Sequence, residues 1–204
     1  MRLEWLRHIP VRWRAAALRL GFNLHPAFRA TGGRVIEVAR DYRSLRLRLP
    51  LNRHTRNLVG SIYGGALFAV TDGAHPTLLM LALGREVIVW DKAASIRFRR
   101  PAYETLYAEF HLTREEIAQI RTLLDSEHET TRLYTVELKD AAGEVYAVVE
   151  RSVYLADKDF YRQKTSGAVP WSTPTDSPAC ASSSEEDSAA SSSGAHPLPV
   201  PPAR

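Results

Sequence analysis

At 204 residues with 45% hydrophobic side chains, the chain is long enough for one domain plus extensions and apolar enough for a real core. Its single cysteine, Cys180, excludes an internal disulfide and a cysteine-based zinc site, and fits a reducing cytoplasm. The net charge of +4 understates the basic body, because Glu185, Glu186 and Asp187 lie near the C-terminus; scattered arginines suit a phosphate-bearing small molecule better than nucleic acid.

Residues 1–31 read as an N-terminal helical extension. Arg2, Arg7, Arg12, Arg14 and Arg19 are mixed with Leu3, Trp5, Leu6, Ile9, Trp13, Leu18 and Leu20, and Glu4 is the sole acid up to residue 24. This predicts a basic amphipathic helix entered or kinked at Pro10. The reading adopted is a helix packed on the domain; a membrane-surface anchor or a transit peptide would show the same bias.

Residues 32–161 read as the main domain. From Arg34 to Leu49 the chain is expected to be extended, with Leu45, Leu47 and Leu49 alternating with Arg46 and Arg48. Pro50 stops it, and a polar loop containing His54, Arg56 and Asn57 delivers the chain to Gly64. A glycine pair, Gly64-Gly65, then opens about twenty mostly apolar residues with Asp72 in their middle, the pattern of a helix buried on all sides. Asp72, His75 and Pro76 argue against a membrane span there. Pro76 cannot bond the carbonyl of Asp72, which predicts a kink or loosened turn at the carboxylate, and Gly84 ends the helix.

Strands are expected over Glu86–Arg100 and Thr105–Leu112. A short inserted helix follows, capped by Thr113 and Glu116 and facing inward through Ile117, Ile120 and Leu124. Arg132–Lys139 and Glu144–Leu155 should pair as a hairpin across Asp140-Ala141-Ala142-Gly143. Residues 162–204, rich in serine, alanine and proline, read as a disordered tail. One helix is fully buried by one antiparallel sheet only if the sheet curls around it, so the expected class is α+β, a curved antiparallel sheet wrapped round a long central helix.

Asn57, then Tyr63-Gly64-Gly65, then Asp72 seven residues beyond the second glycine resembles the signature of hotdog-fold acyl-CoA thioesterases of the phenylacetyl-CoA thioesterase type. Tyr63 departs from it, standing where that family usually has histidine. The similarity runs from roughly Gly32 to Leu155 and includes the strand that ends at Arg97-Phe98-Arg99-Arg100-Pro101.

The residues themselves allow a specific chemistry. Unpaired amides of Gly64 and Gly65 at a helix start could hold an oxyanion. On a straight helix Asp72 would lie about 12 Å further along and about 80° round, so one chain cannot complete the site. A twofold-related copy could bring its own Asp72 to those glycines, and the resemblance implies the same sharing, as a homodimer or dimer of dimers. The expected reaction is hydrolysis of an acyl-CoA thioester, with Asp72 activating water or attacking directly; burial among Ala69, Val70 and Ala74 should make it a better base. Asn57 would position the water or fix the loop. Tyr63 can donate a hydrogen bond but is no base at neutral pH. His75, one turn beyond Asp72, pairs with it as a dyad or packs in the core. Arg97, Arg99 and Arg100 hold the phosphates of coenzyme A or form a solvated face. No cofactor is expected, coenzyme A entering only with the substrate, and His54, His111 and His128 have no metal-ligand spacing. A noncatalytic acyl-binding protein is the alternative; a hotdog dehydratase is disfavoured, because no Asp-x-Asn-Pro-x-His segment occurs.

Overall fold

The computed structural model describes residues 3–166. A 3-10 turn, Leu3–His8, precedes α1 (Val11–Leu24), with Pro10 at the boundary between them, and Pro26 opens the short α2 (Pro26–Ala30). Leucine alternating with arginine then produces a half-buried strand. In β2 (Ser44–Leu49), Leu45, Leu47 and Leu49 are buried, and Arg46 and Arg48 stand in solvent. The expectation of one extended stretch from Arg34 is corrected: β1 (Arg34–Val38) folds back antiparallel onto β2, and the chain reverses where Tyr42 adopts φ +57°.

Four further strands complete the sheet: β3 (Val87–Phe98), β4 (Leu106–His111), β5 (Glu129–Lys139) and β6 (Val145–Asp157). All neighbours are antiparallel, in the order β1-β2-β4-β5-β6-β3, and β5 and β6 form the expected hairpin. The β4–β5 joint is thin, a single registered pair between Tyr107 and Lys139, and there the sheet can curl.

The central helix lies within that curl, but as two pieces. They are α3 (Gly64–Ala69) and α4 (Ala74–Leu83), and α4 touches β2 and β4 on one side and β3 on the other. Leu67, Val70, Ala74, Leu78 and Leu79 meet Leu45, Leu47, Phe110, Val149 and Leu155 in one core. Burying each such leucine stabilises the fold by roughly 1.5–3 kcal/mol. By length and composition Gly64–Leu83 could cross a membrane; here it is the two-part core helix of the sheet.

Helix α5 (Arg114–Glu127) is inserted between β4 and β5, its start capped by the Thr113 hydroxyl, which accepts the Glu116 N–H at 3.0 Å. Residues 162–166, expected in the tail, instead belong to α6 (Lys158–Ser166), which continues from β6 and packs on it; the rest of the expected tail lies outside the described residues.

The two sheet edges differ. On β1 the Asn23 side chain, carried by α1, donates to the Val35 carbonyl and accepts the Val35 N–H, each at 2.8 Å, so the edge is capped by a side-chain amide. Among the described residues β3 pairs only with β6.

Candidate active site

Asp72 sits in the turn between α3 and α4. The break is set by Gly73, whose φ of +74° suits a residue without Cβ. Pro76 falls in the first turn of α4, where its missing N–H costs nothing, so the proline-centred kink gives way to a glycine break four residues long. This placement corrects the expected burial of Asp72: its side chain is 67% exposed.

What holds the carboxylate is Arg151. Along β6 the buried positions alternate, Ala147, Val149, Arg151, Val153 and Leu155, so a guanidinium occupies a core position and is only 4% exposed. All five of its N–H groups are used. Nη1 donates to Asp72 Oδ1 at 3.0 Å and to Asp91 Oδ2 at 2.8 Å, Nη2 to the Phe68 carbonyl at 3.1 Å and the Thr71 hydroxyl at 3.2 Å, and Nε to the same hydroxyl at 3.2 Å. Its face stacks on the Phe68 ring at 5.2 Å. The clamp thus ties the helix break to both strands of the β3–β6 pair.

Asp91 reaches the guanidinium from β3, beside a bulge at Lys92 in the β3–β6 register. Its side chain is 17% exposed and its Oδ1 has no partner among the described residues. Burial raises its carboxyl above the usual range, against the lowering pull of Arg151. Sequence reasoning missed both residues as site groups. The available signal was a charge at an inward position of an apolar strand in each case.

His75 makes no dyad. The residue is 3% exposed, its ring stacked on Tyr134 at 4.1 Å and edge-on to Phe110 at 5.1 Å, and its Nδ1 has no partner among the described residues. Burial, then the Arg151 and His111 charges, push its pKa down to about 4, so it is neutral at pH 7. Burial holds the Tyr134 phenol above its ordinary value.

At the other end of α3, the Gly64 and Gly65 N–H groups carry no hydrogen bond among the described residues; the Tyr63 carbonyl takes those of Ala66 at 2.9 Å and Leu67 at 3.2 Å. The glycines admit close neighbours. A Cβ on Gly64 would lie 3.1 Å from the Phe98 ring, and one on Gly65 2.4 Å from the Tyr63 ring, which folds across it. Asn57 holds the preceding loop shut: its amide donates to Ser61 Oγ at 2.9 Å and its oxygen accepts the Val59 and Ser61 N–H groups at 3.1 Å.

The arginines do not converge on Asp72 within one chain. Arg97 lies on the opposite face of β3 from Phe98, Arg99 lies just past the strand, and Arg100 pairs with Glu144 at 2.8 Å. Among the described residues no cluster of histidine, cysteine and acid side chains could hold a metal ion.

Next to Asp72 lies an open cleft of about 330 Å³, walled by Phe22, His25, Ala27, Phe28 and Thr31 on the side of α1 and α2 and by Ala69, Asp72, Gly73 and Thr77 on the side of the central helices.

Residues 14–155 match a family model described as a domain of unknown function, DUF4442. The chain belongs to that family. Among solved structures it is similar to a Pseudomonas aeruginosa protein of unknown function described as a probable thioesterase, at 26% identity and a TM-score of 0.63, over 73% of this chain and 97% of that one. It is also similar to a Chlorobaculum tepidum protein of unknown function (15% identity, TM-score 0.57, 70% and 93% covered) and to a Haemophilus influenzae thioesterase (12% identity, TM-score 0.53, 71% and 91% covered). No curated protein matches. The DUF4442 chain therefore has the hotdog fold of a thioesterase-like family.

Proposed function

We propose that this DUF4442 protein hydrolyses acyl-CoA thioesters at a site completed by a second copy of itself, as a phenylacetyl-CoA thioesterase-like variant with Tyr63 in the position of the motif histidine. The observation that carries the reading is Asp72: a carboxylate fixed through Oδ1 by a fully engaged buried arginine, yet exposed on its other side beside a cleft walled in part by Phe22 and Phe28. Oδ2 is left to accept a proton from water.

In the proposed reaction the acyl group lies in the cleft and Asp72 takes a proton from water as the hydroxyl oxygen bonds to the carbonyl carbon. The oxygen that turns negative is held by the partner's Gly64 and Gly65 N–H groups. The C–S bond then breaks, coenzyme A leaves as its thiol with the proton returned, and a carboxylic acid remains. Arg97 and Arg99, exposed and without ion pairs among the described residues, offer donors to the nucleotide phosphates.

The second copy is argued from the uncapped edge. β3 is twelve residues long with no strand beyond it among the described residues, and Leu58, Val59, Tyr63, Phe98 and Tyr103 stand exposed on the segments around the glycine pair. Antiparallel pairing of two β3 edges would cover them and run the two central helices in opposite directions.

Thiol release from a panel of acyl-CoAs tests the proposal. Wild type should turn over and Asp72→Asn should lose at least about 100-fold in kcat with an unchanged melting temperature. Equal turnover by the variant rejects Asp72 as the base. The folding of Tyr63 across Gly65 favours a second reading, a noncatalytic acyl-binding protein; binding of acyl-CoA without any thiol release by wild type would select it.

A further inference from the structure

The fold uses only one of the two apolar faces of α1. Leu18 and Phe22 are buried against β1 and α2, whereas Trp13, Leu20 and Leu24 are 57%, 57% and 59% exposed. At 100° per residue Trp13, Ala16, Leu20 and Leu24 fall within an arc of about 80°, opposite Leu18 and Phe22. Val11, 73% exposed, opens the helix.

The charge around this stripe is of one sign. No acid occurs from Trp5 to Ile36, a span that holds Arg7, Arg12, Arg14, Arg19, Arg29 and Arg34. Elsewhere several arginines meet carboxylates, as Arg43, Arg46, Arg100 and Arg151 do. Among the described residues, those on the N-terminal helices do not. Arg14 donates to the carbonyls of Ile9 and Arg7, Arg19 to that of Ile36, and Arg12 lies over the Trp13 ring at 5.9 Å. Neutral acceptors leave the positive charge uncompensated, and Arg12 and Arg19 are exposed beside the apolar stripe.

We propose that the outward face of α1 docks on an anionic lipid surface, with Trp13, Leu20 and Leu24 entering the boundary between headgroups and acyl chains and Arg12 and Arg19 meeting lipid phosphates. Exposed tryptophan and leucine flanked by arginine is the composition of a helix that lies in that plane. The charge selects this occupant over a second copy, since two such faces would bring arginines against arginines. The proposal is independent of the chemistry at Asp72.

The test uses the full chain and vesicle co-sedimentation. Vesicles of phosphatidylcholine alone are compared with vesicles carrying about 30 mol% phosphatidylglycerol, at about 50 mM and about 500 mM salt. Binding should require the anionic lipid and weaken at high salt. The double variant Leu20→Ser/Leu24→Ser, both solvent-exposed positions, should retain the wild-type melting temperature and bind roughly tenfold or more weakly. Arg12→Gln/Arg19→Gln should lose roughly fivefold for each charge removed. Equal binding to both vesicle types, no binding to either, or binding unchanged in both double variants overturns the proposal. So does sedimentation velocity in which the serine variant loses a dimer while wild type ignores vesicles, which assigns the face to a second copy.

Discussion

Acidification should unfold this protein partly through one imidazole. His75 has an ordinary pKa of 6.5 and is held at about 4 by burial beneath Tyr134 and Phe110 and by the Arg151 and His111 charges. Because the folded value lies below the unfolded one, the unfolded chain takes up the proton first as pH falls beneath 6.5, and stability is lost between 6.5 and 4. At ~1.4 kcal/mol per pH unit the full loss is about 3 kcal/mol, of which roughly 1.4 has gone by pH 5.5 and roughly 2.5 by pH 4.5. The variant His75→Leu removes the titrating group and the unpartnered Nδ1 together, so at pH 7 it should change stability little. Asp91, whose raised carboxyl pKa works in the opposite sense as pH falls, is present in both proteins and cancels in the difference. Urea unfolding at pH 7, 5.5 and 4.5 measures that difference directly. A gap between wild type and variant that stays within about 0.5 kcal/mol across this range would refute the argument.

Two further substitutions probe the architecture around Asp72. Arg151→Met leaves Asp91 largely buried without its counter-charge and should cost about 3–5 kcal/mol in chemical denaturation; adding Asp91→Asn should recover part of the loss, and a single variant as stable as wild type would show the clamp to be dispensable. A Cβ on Gly33 would lie 2.1 Å from Val70 Cγ2 at the helix break, so Gly33→Ala should destabilise by about 1–3 kcal/mol, and Val70→Ala in the same chain should relieve the clash; additive losses would contradict it.

Much of the fold was legible because its signals are local. The Leu45–Leu49 alternation, the Thr113 cap and the Asp140–Gly143 turn each depend on neighbours a few residues away, and all appear where the pattern placed them. The reversal at Tyr42 was not, since a tyrosine at positive φ carries no turn signal. Pro76 pointed to the right place for the wrong reason, because Gly73 three residues earlier relieves the backbone before the proline enters.

For the candidate site the division has the same cause. The chain by itself pointed to a helix start at the glycine pair, a polar loop ahead of it and a loosened turn at Asp72, since helix starts and helix breaks are written in short runs of residues. Only the tertiary structure decided that Asp72 faces solvent beside a cleft, that His75 is sealed in the core, and that Arg151 joins Asp91 and Asp72 from 60 and 79 residues away. A charge at an inward strand position is tolerable only once its partners are in place, and which partners arrive is set by strand register and a bulge, neither of which a linear pattern encodes.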